Sequence, residues 1–186
     1  MENNCMTSVK AKSLEEIVAG QALRLPKLVE SDPRGPQLLR SLTTHTEPLW
    51  RESELGIPVA RLNSELAEAL RSVHSAGRLI RGLESTERTL AAEERGLRMA
   101  DRQIGAPRGV RVSRLLILAN DGAERFYRNI ETMLRRHGPR VLAVRLEIDA
   151  IGLGELLFGP GRVARLVMLE HKQAVSSVLL AMAWEI

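Results

Sequence analysis

The chain has 186 residues, 44% of them hydrophobic but only 3% aromatic, with 27 basic residues against 23 acidic ones and a net charge of +4. That is enough for one aliphatic-cored domain plus an appendage. The single cysteine, Cys5, excludes a disulfide framework and a cysteine-based zinc site, and His45, His74, His137 and His171 include no helix-spaced ligand pair.

No apolar run reaches the roughly 18 residues of a membrane span. The opening residues, MENNCMTSVKAKSLEE, lack the basic-then-apolar order of a secretion signal and carry acidic side chains that transit peptides avoid. The expectation is a soluble, intracellular protein in a reducing setting. Twenty-three of the basic residues are arginine. Its planar fork matches phosphate and guanine edges, but a GC-rich genome gives the same bias, so arginine usage decides nothing by itself.

Residues 1–62 are neutral, with eight basic and eight acidic side chains, and hold five of the eight prolines. SDPRGP at 31–36 reads as a turn or linker. Short helices are expected near 13–25, where Ser13 and Glu16 form a capping-box pattern, and near 37–42. This segment is expected to be an irregular N-terminal extension that wraps the domain or meets a partner.

From Asn63 the pattern tightens. Asn63 or Ser64 caps a helix to about Ser75, with Leu66, Ala69, Leu70 and Val73 on one face and Gly77 after its end. A short strand at 78–80 and a helix at 85–95 follow, then an arginine-rich stretch, 98–111, that reads as a loop. SRLLILAND at 113–121 is a continuous aliphatic run, the pattern of a strand buried on both faces. An amphipathic helix follows, with Phe126, Ile130, Met133 and Leu134 on its buried side and His137 and Gly138 at its end. A strand at 139–147, a short helix from Asp149 to Leu157, a tight loop at 158–162, a strand at 163–170 and a helix at 172–184 complete the chain. Trp50 and Trp184 read as packing residues. Alternating strands and helices imply an α/β fold: a three-layer α-β-α sandwich with a small mixed sheet, spanning 63–186.

Nucleotide fingerprints are missing. There is no G-x-G-x-x-G after a strand, no G-x-x-x-x-G-K-[ST] and no G-x-S-x-G elbow. Gly152, Gly154, Gly159 and Gly161 read as turn glycines. Asp121 stands at the carboxyl end of a strand, where α/β sites lie, but Asn-Asp-Gly is also a plain turn and helix start. His171 and Lys172 form either an anion site or a solvated helix start. No nucleophile, base and orienter stand in a usable order, no metal cluster is apparent, and no cofactor is expected.

Four stretches carry a family resemblance: SAGRLIRGLESTERTL (75–90), LLILANDGAERF (115–126), LGELLFGPGRVARLVML (153–169) and HKQAVSSVL (171–179). In this order they resemble the kink-turn RNA-binding ribosomal-protein superfamily, which includes guide-RNA particle core proteins, SECIS-element binders and ribonuclease P subunits. The resemblance covers about 63–186, with an arginine-rich insertion near 98–111. It implies that a strand-glycine-helix segment meets RNA, with Gly82 as the glycine, Leu83, Glu84 and Ser85 opening the helix, Arg88 one turn in, and Arg78 and Arg81 flanking. It implies a second contact in the loop before the last strand: Arg162, Val163 and Ala164, after Gly161. The family usually places Asn-Glu where this chain has Glu84 and Ser85. The function implied is a non-enzymatic RNA-binding protein, a component of a ribosomal, guide-RNA or ribonuclease P type particle in the cytoplasm or a ribonucleoprotein compartment. Residues 1–62 are available for partner subunits. The alternative is a protein-interaction module on the same fold that has lost RNA binding.

Overall fold

The structure is a computed structural model and describes residues 22–105 and 110–183. Among these, seven helices and six strands form an α/β fold: α1 (Lys27–Glu30), α2 (Gly35–Thr44), β1 (Thr46–Pro48), β2 (Gly56–Ala60), α3 (Ser64–Ser75), β3 (Leu79–Arg81), α4 (Leu83–Ile104), β4 (Arg114–Leu118), α5 (Glu124–His137), β5 (Val141–Leu146), α6 (Ala150–Phe158), β6 (Leu166–Leu169) and α7 (Lys172–Met182). The strands make one mixed sheet in the order β1-β2-β5-β4-β6-β3. The β2–β5 and β5–β4 pairs are parallel, and the β4–β6, β6–β3 and β1–β2 pairs are antiparallel.

The central strands are apolar on both faces because both faces are covered. Leu115, Ile117, Leu142, Val144, Val167 and Leu169 point into one core with Leu66, Leu70, Leu153, Val175 and Leu179 from α3, α6 and α7. Leu116, Leu118, Val141, Ala143, Leu166 and Met168 point into the other, with Leu90 from α4 and Tyr127, Ile130, Met133 and Leu134 from α5. This is the period-two alternation of a pleated strand, and each fully buried aliphatic side chain contributes about 1.5–3 kcal/mol.

Local chemistry sets the helix starts. Asn63 Oδ1 accepts from the Leu66 amide at 2.7 Å and so caps α3. Asp149 Oδ1 caps α6 through the Gly152 amide at 2.7 Å. Asp121 adds a second acceptor to α6, taking the Ala150 amide at 2.9 Å, so this carboxylate is engaged in the turn rather than poised for chemistry. The Tyr127 hydroxyl donates to the Ala119 carbonyl at 2.6 Å and accepts from the Gly122 amide at 3.1 Å, tying the turn after β4 to α5.

Three expectations need correction. First, the segment before Asn63 is built into the domain. β1 and β2 extend the sheet, and Leu25, Val29, Leu38, Leu42, Leu49, Leu55 and Ile57 are core residues. Its prolines hid this: Pro48 lies in the edge strand, where the missing N–H costs no ladder bond, and the parallel ladder of β2 covers only Val59 and Ala60. Trp50 packs here, its indole N–H donating to Glu131 Oε2 at 2.6 Å. Second, the expected helix near 13–25 falls mostly outside the described residues, as do Cys5 and Trp184; residues 22–25 are not helical, and Arg24 bridges to Arg111. The helix expected at 37–42 is the longer α2. Third, α4 continues through 98–104, which reads as loop in the sequence, and ends at Gly105 in the left-handed conformation. Only Thr86 and Leu90 of its 22 residues are buried, so its second half runs past the sheet.

Candidate nucleic-acid interface

Among the described residues β3 is an edge strand, paired with β6 alone, with Arg81 opposite Val167. At its end Gly82 has φ 89° and ψ 159°, a backbone state that side-chain-bearing residues rarely adopt. A Cβ at Gly82 would meet nothing within 4 Å, so glycine is required for the dihedral and the backbone is left uncovered. The Gly82 amide donates to the Leu166 carbonyl at 2.9 Å, and its carbonyl accepts from Thr86 Oγ1 at 2.8 Å. With no side chain to cap α4, the amides of Leu83, Glu84 and Ser85 are left without an acceptor among the described residues. Free amides at a helix start are donors suited to phosphate.

The facing loop is shaped by glycines. Gly159 (φ 91°) and Gly161 (φ 70°) take left-handed turns, and the Gly161 amide donates to Glu155 Oε1 at 3.1 Å. The loop lies directly on Gly154 of α6: a Cβ there would fall 2.2 Å from the Arg162 carbonyl oxygen. Val163 is thereby left outside, 40% exposed.

Arg81 joins the two segments. Its Nη2 donates to the Val163 carbonyl at 2.6 Å, and its guanidinium carbon lies 4.8 Å from the centroid of the Phe158 ring. Phe158 in turn meets His74 edge-on at 5.0 Å. Neither aromatic was singled out from the sequence. The available signal was Phe158 directly before Gly-Pro-Gly in a chain with two phenylalanines.

The expected residues divide. Arg81, Gly82, Arg162 and Val163 come together. Arg162 is exposed and has no partner among the described residues; the same holds for Arg165, which the sequence reading missed. Arg78 is also exposed and unpartnered, but it precedes β3 at the end away from Gly82, about 10 Å of strand from Arg81. Arg88 is held by Glu84 at 2.8 Å, an ion pair one turn apart on the exposed side of α4. Ser85 is half-buried in the same turn. Two residues turn inward instead. Leu83 packs against the core under α4, and Ala164 is buried in the opposite core at 3% exposure. The Ala164 side chain is therefore closed off from the surface, while Leu83 is partly buried and offers the edge its backbone amide.

No protein-family model and no curated protein matches the chain. Among solved structures it is similar to a Bacillus halodurans protein of unknown function, at 20% identity over 66% of this chain and 100% of that one, with a TM-score of 0.39. No described helix is long and apolar enough to cross a membrane, and no group of metal-ligating side chains assembles among the described residues.

Proposed function

We propose that this chain is a non-enzymatic RNA-binding protein, a ribonucleoprotein component that contacts structured, kink-turn-like RNA with the edge around Gly82. The observation that carries the reading is the Arg81–Val163 hydrogen bond, which unites the strand-glycine-helix segment and the 159–163 loop in one surface. That surface offers what a bent RNA backbone needs: uncovered backbone at Gly82, free amides at the start of α4, the unpartnered guanidinia of Arg162 and Arg165, and an exposed apolar residue, Val163, to pack on an unpaired base.

The test is equilibrium binding to a kink-turn RNA and to an unkinked duplex of equal length, at two salt concentrations. Tighter binding to the kink-turn is expected. Arg81→Ala with Arg162→Ala should weaken it and flatten the dependence of log K on log salt by about 0.7–0.9 for each phosphate no longer neutralised. If the double variant keeps both affinity and slope, the surface is wrong and the alternative, a protein-interaction module on this fold, takes its place.

A further inference from the structure

At the other end of the sheet, an open cleft of about 1200 Å³ lies between the second half of α4, the approach to β4 and the start of α7. Two arginine pairs border it, each sharing one carboxylate. Arg114 and Arg140 both bind Glu93, at 2.7 and 2.8 Å. Arg24 and Arg111 both bind Glu30, whose carboxyl is held below its usual range chiefly by the hydrogen bond from Arg111. Each trio keeps one positive charge in excess. Lys27 and Lys172 also line the cleft and have no ion-pair partner among the described residues. Against these stands one further carboxylate, Asp101. Lys172, Gln173 and Ser176 bring the first turn of α7 to the same wall, adding the positive end of its dipole.

The facing wall is α4. The stripe that begins in the core with Thr86 and Leu90 continues through Glu93, Leu97, Ala100 and Ile104, and no described residue buries that second half. On its flank, beside Glu93 and Ala100, is Gly96, the least favourable helix-interior residue after proline. A Cβ there would meet nothing within 4 Å, and its backbone is ordinary helix, so neither packing nor dihedral calls for glycine. Its effect is to leave a flat strip of helix backbone open to the cleft beside Leu97 and Ala100.

We infer that this cleft binds a mononucleotide, with its phosphate against Lys172, the start of α7 and the excess charge of the Arg114–Glu93–Arg140 trio, and its base laid across Gly96. A cationic end next to a flat aliphatic strip suits a ligand that is anionic at one end and planar at the other. The inference does not depend on the RNA reading, whose surface lies at the opposite end of the sheet.

Titrate the full chain with a nucleoside monophosphate of each base, with inorganic phosphate and with adenosine, by calorimetry at low salt. At least one monophosphate should bind tenfold or more tighter than phosphate or adenosine. Lys172→Ala should weaken it about tenfold with no change in Tm. Gly96→Ala should raise Tm by about 2 °C while weakening binding, opposite signs that a purely structural role would not give. Arg81→Ala with Arg162→Ala should leave nucleotide affinity unchanged. The inference falls if monophosphates bind no tighter than phosphate, if Lys172→Ala and Gly96→Leu bind like the parent chain, or if the Arg81/Arg162 variant abolishes binding. It also falls if Gly96→Leu changes the sedimenting mass without nucleotide binding in the parent, which would make the cleft the seat of a second copy.

Discussion

Arg162 and Arg165 near Gly82 and Arg114 and Arg140 at the far end of the sheet are used in opposite ways. Around Gly82, Arg162 and Arg165 are exposed with no carboxylate partner among the described residues, and Arg81 is held by a backbone carbonyl and a ring. At the far end, Arg114 and Arg140 are only 19% and 12% exposed and close on one glutamate. An arginine with no internal partner is free to meet a phosphate at little structural cost. An arginine bound to a half-buried carboxylate is part of the architecture, and only its surplus charge is available to a ligand. Arginine content cannot separate these roles; the location of the carboxylates does.

The largest expected effect is at the far end. Glu93→Ala leaves two guanidinia in a poorly solvated place without their shared partner and should cost about 3 kcal/mol in urea unfolding, the low end for a broken buried pair because some water reaches it. A loss under about 1 kcal/mol would mean that these arginines behave as ordinary surface charges and would erase the contrast. Next is Gly154→Ala, whose Cβ collides with the Arg162 carbonyl and forces the 159–163 loop outward. About 1–3 kcal/mol of stability should go, and RNA affinity should fall with it. If stability falls while affinity holds, the loop does not need its present position. The smallest effect is Glu84→Ala. It removes an exposed ion pair, so stability should move by only a few tenths of a kcal/mol, yet it frees Arg88. RNA affinity should rise; an unchanged or lower affinity would show that Arg88 lies outside the contact.

The central strands β4, β5 and β6 were legible because both of their faces are buried and their runs are aliphatic. Leu115 to Leu118 are all apolar because the cores lie on both sides, and no tertiary knowledge is needed to read such a run. The capped helix at Asn63 was legible for a local reason, since cap and apolar face lie within four residues of each other. What failed depended on distant partners. β2 is a strand because β5 lies beside it, and Pro58 alone argues against it. The 98–104 stretch is helical although Gly96 and Gly105 stand on either side of it, helped by the Glu94–Arg98 pair one turn apart. At the edge, Gly82 was singled out through the family resemblance, as the glycine between a strand and a helix, and it does stand between β3 and α4. That Leu83 and Ala164 face inward, and that Phe158 lies beneath Arg81, depends on packing between segments some eighty residues apart.

The sheet order sets a schedule. β2 pairs with β5, and the Arg61–Glu147 ion pair just beyond that ladder spans 86 residues of chain. During synthesis at about 5–20 residues per second, β2 therefore leaves the ribosome roughly 4–17 s before its neighbour exists. Leu55, Ile57 and the open edge of β2 stay uncovered for that interval. β1, a three-residue strand ending in proline, pairs early by a local hairpin and blocks the opposite edge of β2. The nascent chain thus carries its own guard against strand-to-strand aggregation on one side while it waits for the other.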